Sequence, residues 1–77
     1  MNTFERVVKI LADNRNILKD EIKQDTKFAD LQLDSLDMMD LVLIMEEEFS
    51  IGIELNEDIN TVGKLADYID LHIGKRS

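Results

Sequence analysis

Apolar residues recur at helical spacing most clearly between positions 35 and 49. On a wheel of about 100° per residue, five of them fall on one side of the helix. The residues of this stripe are Met38, Leu41, Val42, Met45 and Phe49. Such a stripe predicts an amphipathic helix over residues 35–49, with these side chains facing a core.

Two further segments show the same period. The first predicts a helix over residues 3–16 with Thr3 as its N-cap, and the second predicts a helix over residues 62–73 capped by Thr61. Basic residues near the end of the last helix suit the helix dipole; they are His72, Lys75 and Arg76. The apolar positions of the two helices are Phe4, Val7, Val8, Leu11 and Ala12, then Val62, Leu65, Ala66, Ile69 and Ile73.

The segments between these helices are predicted to pack as ordered loops. Residues 17–34 form a connection that is long for a small domain unless it packs or functions. Its apolar residues, with Phe28 and Leu31 as the best anchors, indicate that it clamps over the helices. The alternation at residues 51–55 predicts a loop with inward isoleucines, because a lone strand has nothing to pair with. A very short helix is predicted for residues 56–59.

These elements predict an all-α fold, a small four-helix bundle. It has three main helices, one short third helix, and a long loop between the first two helices. The 77 residues predict a single domain, residues 1–77. A chain of this length buries only about 60% of the surface that its unfolded form exposes, so the core is expected to be thin.

Acidic residues are concentrated around the second helix. Between positions 28 and 63 the chain has ten Asp or Glu residues and no Lys or Arg, so this window carries −10 and the remainder +2. The outer side of the helix adds apolar residues to these acids. Two interpretations are open: a solvated surface that aids solubility, or a docking face for basic patches on partner proteins. The candidate docking residues are Asp34, Leu36, Asp37, Met39, Asp40, Leu43, Glu46 and Glu47.

Ser35 lies where the second helix is predicted to begin. Asp34 before it is a good N-cap, and Asp37 places an acid in the first turn, where the helix dipole favours it. From the residues alone, the commoner interpretation of such a site is that it only caps the helix. The alternative is a modified serine, whose phosphate would lie at a helix N-terminus, a usual place for backbone amides to hold an anion.

Composition excludes several other classes of function. The acidic window argues against nucleic acid, whose phosphates require Lys and Arg. No cysteine is present, and one histidine cannot form a zinc site. The acids after Asp30 fail the calcium-loop pattern, so no metal is predicted. A hydrolytic triad is disfavoured because Ser35 has no glycine-lined elbow and His72 is expected at the surface. No membrane span or signal peptide is predicted, so we expect a cytoplasmic protein.

The run Asp34-Ser35-Leu36-Asp37, followed by an apolar helix that closes in Glu46-Glu47-Glu48-Phe49, resembles the acyl carrier proteins. The resemblance extends from Phe4-Glu5-Arg6-Val7 to Asp67-Tyr68-Ile69, which is nearly the whole chain. It implies that Ser35 carries a covalent 4′-phosphopantetheine arm derived from coenzyme A. The arm would hold acyl intermediates as thioesters for fatty acid or related lipid or polyketide biosynthesis. The resemblance therefore predicts a carrier and not an enzyme.

The resemblance also implies the kind of partner. A phosphopantetheinyl transferase and acyl-processing enzymes with basic docking patches would bind the monomeric carrier in turn. Gln32 departs from the family, since glycine is common there, and residues 50–61 are about two residues short and lack the usual proline. These departures favour a specialised carrier outside bulk fatty acid synthesis as one alternative. An unmodified small acidic helical adaptor is the other.

Overall fold

A computed structural model describes residues 2–74, and this part of the chain contains three α-helices joined by loops. They are α1 (Thr3–Arg15), α2 (Ser35–Phe49) and α3 (Val62–Gly74), and α1 packs against both of the others. The predicted all-α fold is confirmed. Within residues 2–74 the sole β-type pairing is an isolated bridge between Lys27 and Thr61. No described helix is both long and apolar enough to cross a bilayer.

The start of α1 differs by one residue from the prediction. Asn2, not Thr3, is the N-cap: its Oδ1 accepts from the Glu5 amide at 2.8 Å, and Glu5 Oε1 accepts from the Asn2 amide at 3.4 Å. This reciprocal capping box satisfies two amides that helix geometry leaves free. Thr3 is instead the first helical residue, and its hydroxyl donates to Asp70 of α3. Glu5 lies three residues after Asn2, which is the spacing that a capping box requires.

The core lies where the three helices meet. No described charged or polar residue is buried. The fully buried side chains are Val7 and Leu11 of α1, Leu41 and Met45 of α2, and Val62, Leu65 and Ile69 of α3. Each contributes about 1.5–3 kcal/mol by leaving water. Met38 and Val42, predicted in the same stripe, are only half-buried because they lie at the edge of this core.

The long loop between α1 and α2 is ordered and contains two short 3₁₀ turns, Lys19–Glu21 and Phe28–Leu31. Phe28 is buried as predicted, whereas Leu31 is half-buried and Ile22 is the second true anchor. Backbone hydrogen bonds join this loop to the start of α3. The amide of Val62 donates to the Thr26 carbonyl at 3.0 Å, and the amide of Gly63 donates to the Gln24 carbonyl at 2.9 Å.

The segment between α2 and α3 is mostly irregular. Ile53 is buried and Ile51 half-buried, so the predicted inward isoleucines are confirmed. The short helix predicted for residues 56–59 is a single turn, closed by the Ile59 amide on the Asn56 carbonyl at 3.0 Å. One turn fixes several dihedrals for a single bond, so it does not propagate without strong packing. Residues 2–74 therefore contain three α-helices, with this one turn at the position of the predicted short third helix.

The predicted end of the last helix extends by one residue, to Gly74. Thr61 caps this helix as predicted, since its Oγ1 accepts from the Lys64 amide at 3.1 Å. His72 is half-buried rather than fully at the surface, because its ring stacks on Tyr68 with centroids 4.0 Å apart. Lys75 and Arg76 lie outside the described residues.

Candidate functional site at the start of α2

Ser35 is the first residue of α2 and is exposed. The cap itself is Asp34, whose Oδ1 accepts from the Asp37 amide at 2.9 Å, while Asp37 Oδ2 accepts from the Asp34 amide at 3.3 Å. Among residues 2–74 no hydrogen bond of the Ser35 hydroxyl is found. Because two aspartates complete the cap, capping does not account for Ser35. Its hydroxyl stands at the positive end of a helix and is open to solvent.

An apolar groove of about 520 Å³ opens beside Ser35. Asp34 and Ser35 line it together with six apolar residues: Leu33, Met38, Met39, Val42, Leu43 and Leu55. A volume of this size lies within the range of small-molecule sites, about 300–1,000 Å³. Met38 lines the groove, but Met45 is fully buried and does not. The groove therefore starts at the serine and follows the edge of α2, above the core.

The outer face of α2 exposes three large apolar side chains. Leu36 is 71% exposed, Met39 63% and Leu43 58%. Their accessibility is unusual because they occupy one short helix and interleave with acids, whereas isolated exposed apolar residues are common on any protein. The structure thus places these three candidate docking residues together on one accessible face that begins at Ser35.

The candidate acids of α2 have different surroundings. Arg15, at the end of α1, pairs with both Asp37 and Asp40: its Nε lies 3.0 Å from Asp37 Oδ1, and its Nη2 3.3 Å from Asp40 Oδ2. Glu46 Oε2 accepts from the Ile53 amide at 2.9 Å, which ties the following loop to α2. Glu47 is exposed. With Asp34, which caps α2, four of the five predicted docking acids therefore also make contacts within the protein.

Sequence reasoning missed Arg15, Leu33 and Leu55 as parts of this region. Leu55 is an apolar residue among polar loop neighbours, which is a usable signal for a groove wall. Arg15 gave no local signal, because its partners are 22 and 25 residues away along the chain.

Comparison with known proteins identifies the class to which this arrangement belongs. The family described as "Phosphopantetheine attachment site" matches residues 5–69. An acyl carrier protein of Streptococcus thermophilus (strain CNRZ 1066) is 39% identical over 70 residues, which cover 91% of this chain and 95% of the relative. Acyl carrier proteins of Streptococcus pyogenes serotypes M3 and M1 are each 37% identical with the same coverage.

The chain belongs to the phosphopantetheine-attachment family, and within that family to the acyl carrier proteins. It is accordingly a carrier and not an enzyme, and its cofactor is covalent 4′-phosphopantetheine. The cofactor also explains how a chain without cysteine holds acyl groups as thioesters, because the thiol belongs to the arm.

Proposed function

We propose that Ser35 is the residue to which phosphopantetheine is attached and that the arm presents acyl groups to biosynthetic enzymes of fatty acid or related pathways. One observation carries the proposal: among residues 2–74, Ser35 alone combines an exposed hydroxyl, a helix N-terminus capped by other residues, and an apolar groove beside it. The family supplies the chemistry, and the geometry favours this serine as its site.

The attachment step transfers a phosphoryl group. The Ser35 oxygen attacks the phosphorus of coenzyme A that bears the pantetheine, and the bond between that phosphorus and the bridging anhydride oxygen breaks. The nucleotide leaves with that oxygen, and the serine proton passes to a base of the transferase. The resulting phosphodiester would carry one negative charge, and the amides of the first turn of α2 that Asp34 does not cap would favour such an anion.

The partner surface is proposed to be the outer face of α2. Leu36, Met39 and Leu43 provide apolar contact, while Asp34, Asp37, Asp40 and Glu47 attract basic patches on the transferase and on acyl-processing enzymes. Glu46 belonged to the set predicted from the sequence, and it contributes charge to this face while it holds Ile53. Small apolar area with charge steering suits a monomeric cytoplasmic carrier that must bind and release many partners.

Mass spectrometry tests the attachment site. Incubation with coenzyme A and a promiscuous phosphopantetheinyl transferase should add one phosphopantetheine to the wild-type chain and none to Ser35→Ala. Ser50→Gly is the matched control: it removes another exposed hydroxyl, and glycine suits the left-handed backbone at that position, where φ is 55°. Addition of phosphopantetheine to Ser35→Ala would show that the attachment site is another residue. A wild-type chain that stays unmodified would favour the unmodified adaptor.

A specialised carrier outside bulk fatty acid synthesis is the second candidate. The single turn at residues 56–59 favours it, because a wall of the acyl-binding region is then a loop bearing Leu55 instead of a helix. Elongation assays with fatty acid synthase enzymes, with a housekeeping carrier as reference, discriminate the two. Comparable elongation of both carriers supports the bulk pathway, whereas loading without elongation supports a specialised one.

A further inference from the structure

Arg15 connects the end of α1 to the first two turns of α2. Its guanidinium has three acceptors: Asp37 Oδ1 at 3.0 Å, Asp40 Oδ2 at 3.3 Å, and the Asn14 carbonyl at 2.9 Å. The Arg15 side chain is 25% exposed, so most of it is covered by the protein. The three acceptors hold one orientation of the guanidinium fork, which a flexible surface arginine would not keep.

The two acids that Arg15 holds are one turn apart on the face proposed for docking. Asp37 is engaged on two sides, because it also accepts from the Asp34 amide. Asp40 is the more exposed of the two. A basic side chain of a partner must therefore share these carboxylates with a cation that is already in place.

We propose, on the basis of the docking face above, that Arg15 is an internal competitor for the cations of partner proteins. By neutralising Asp37 and Asp40 it weakens docking at the start of α2 and hastens release. The net charge of the chain favours encounter with basic patches, whereas Arg15 limits how strongly the complex holds once formed. Arg15 thus limits the affinity for partners and takes no part in the attachment chemistry.

Steady-state loading by a phosphopantetheinyl transferase provides the test, with the apo chain as the varied substrate. Arg15→Gln should lower KM about three- to fivefold at low salt, an effect of the size expected for one or two exposed ion pairs. The kcat should stay unchanged, since Ser35 and both residues of its capping box, Asp34 and Asp37, are still present. The gain should vanish as ionic strength rises from about 0.01 M to about 1 M, where the screening length falls from roughly 30 Å to roughly 3 Å.

Two variants separate this effect from simpler ones. Lys9→Gln removes the same charge from a solvent-exposed pair with Asp13, outside the first two turns of α2, and should change KM much less. Arg15→Lys keeps the charge but replaces the fork with a single ammonium that cannot hold both carboxylates in the same geometry. Its KM should lie between those of the wild type and Arg15→Gln. Because Arg15→Lys keeps the charge, it still tests the competition if Arg15→Gln does not fold.

A double-mutant cycle with Asp40→Asn distinguishes competition from a structural role. Asp40→Asn should raise KM in both backgrounds, and by a larger factor when Arg15 is replaced by Gln. Equal factors in both backgrounds, or an Arg15→Gln KM equal to that of Lys9→Gln, would overturn the proposal while leaving the docking face intact. If neither Asp40→Asn nor Arg15→Gln alters KM at low salt, the docking face itself is wrong.

Discussion

Glu46 and Glu47 are neighbours at the end of α2, but their surroundings differ. Glu46 Oε2 accepts from the amide of buried Ile53 at 2.9 Å, whereas the Glu47 side chain is exposed to solvent. Replacing each by alanine should therefore separate stability from docking. Glu46→Ala leaves the Ile53 amide without this acceptor, in a loop that must close over the core. Glu47→Ala removes charge alone.

The size of the effect follows from opposing contributions. Loss of a partner for a partly buried amide costs about 1–3 kcal/mol. Removing an acid from the last turn of a helix returns about 0.3–1 kcal/mol, because the dipole disfavours negative charge there. Glu46→Ala should thus lose about 1–2 kcal/mol, a large share of the roughly 4–12 kcal/mol expected for a domain of this length. Glu47→Ala should be neutral or slightly stabilising.

Thermal unfolding and transferase kinetics measure the two outcomes. For a domain of this size about 1 kcal/mol shifts Tm by roughly 4–8 °C, so Glu46→Ala should lower Tm by roughly 4–16 °C. Glu46→Gln, which keeps an acceptor, should lower Tm less. Well below Tm, Glu47→Ala should raise the transferase KM more than Glu46→Ala does. Equal Tm values for Glu46→Ala and Glu47→Ala would refute the assigned role of the Ile53 contact.

Three further predictions concern the loop, the groove and the charged face. Gly63→Ala should lower the urea midpoint and the free energy of unfolding by about 1–3 kcal/mol, because a Cβ there would lie 2.6 Å from the Gln24 carbonyl oxygen. Gly52→Ala is the control, since a Cβ at Gly52 meets nothing within 4 Å. Similar losses of stability in the two variants would contradict this packing. A long acyl chain on the arm should raise Tm by entering the groove. Met38→Trp, which fills the groove, should reduce that rise. If acylation does not change Tm, the groove does not hold the acyl chain. Transferase affinity for the wild-type chain should fall as salt rises, and affinity indifferent to salt would remove the acidic face as a source of attraction.

The bounds of α2 were predictable because their signals are local. Asp34 and Asp37 have capping-box spacing, which marks the start of the helix. The apolar stripe has helical period and ends at Phe49, where the helix also ends. The same logic, applied to Asn2 and Glu5, would have placed the cap of α1 correctly. The short helix predicted for residues 56–59 is a single turn for a different reason. A capping asparagine started a turn, but Ile59 is only half-buried, so packing did not extend it.

The parts of the site that escaped prediction depend on distance along the chain. The position of Ser35 at a helix start and the exposure of Leu36, Met39 and Leu43 follow from one helix and its wheel, whereas the role of Ser35 was predicted from the family resemblance. The pairing of Arg15 with α2 requires the packing of α1 on α2, and the Glu46–Ile53 bond requires the path of the loop after Ser50. A sequence pattern gives the face on which an acid lies, but not the cation or amide that it contacts.

This difference changes how the docking face should be understood. Counted from the sequence, α2 offers partners a dense row of acids, and charge would dominate recognition. In the structure Arg15 and the Ile53 amide engage three of those acids, whereas the three large apolar side chains of the outer face stay exposed. For the proposed docking face we therefore infer that charge governs encounter over distance and that apolar contact governs the strength of the bound complex. Under this proposal, weakening the short-range ion pairs speeds release from one enzyme, while the net charge of −8 still attracts the next partner.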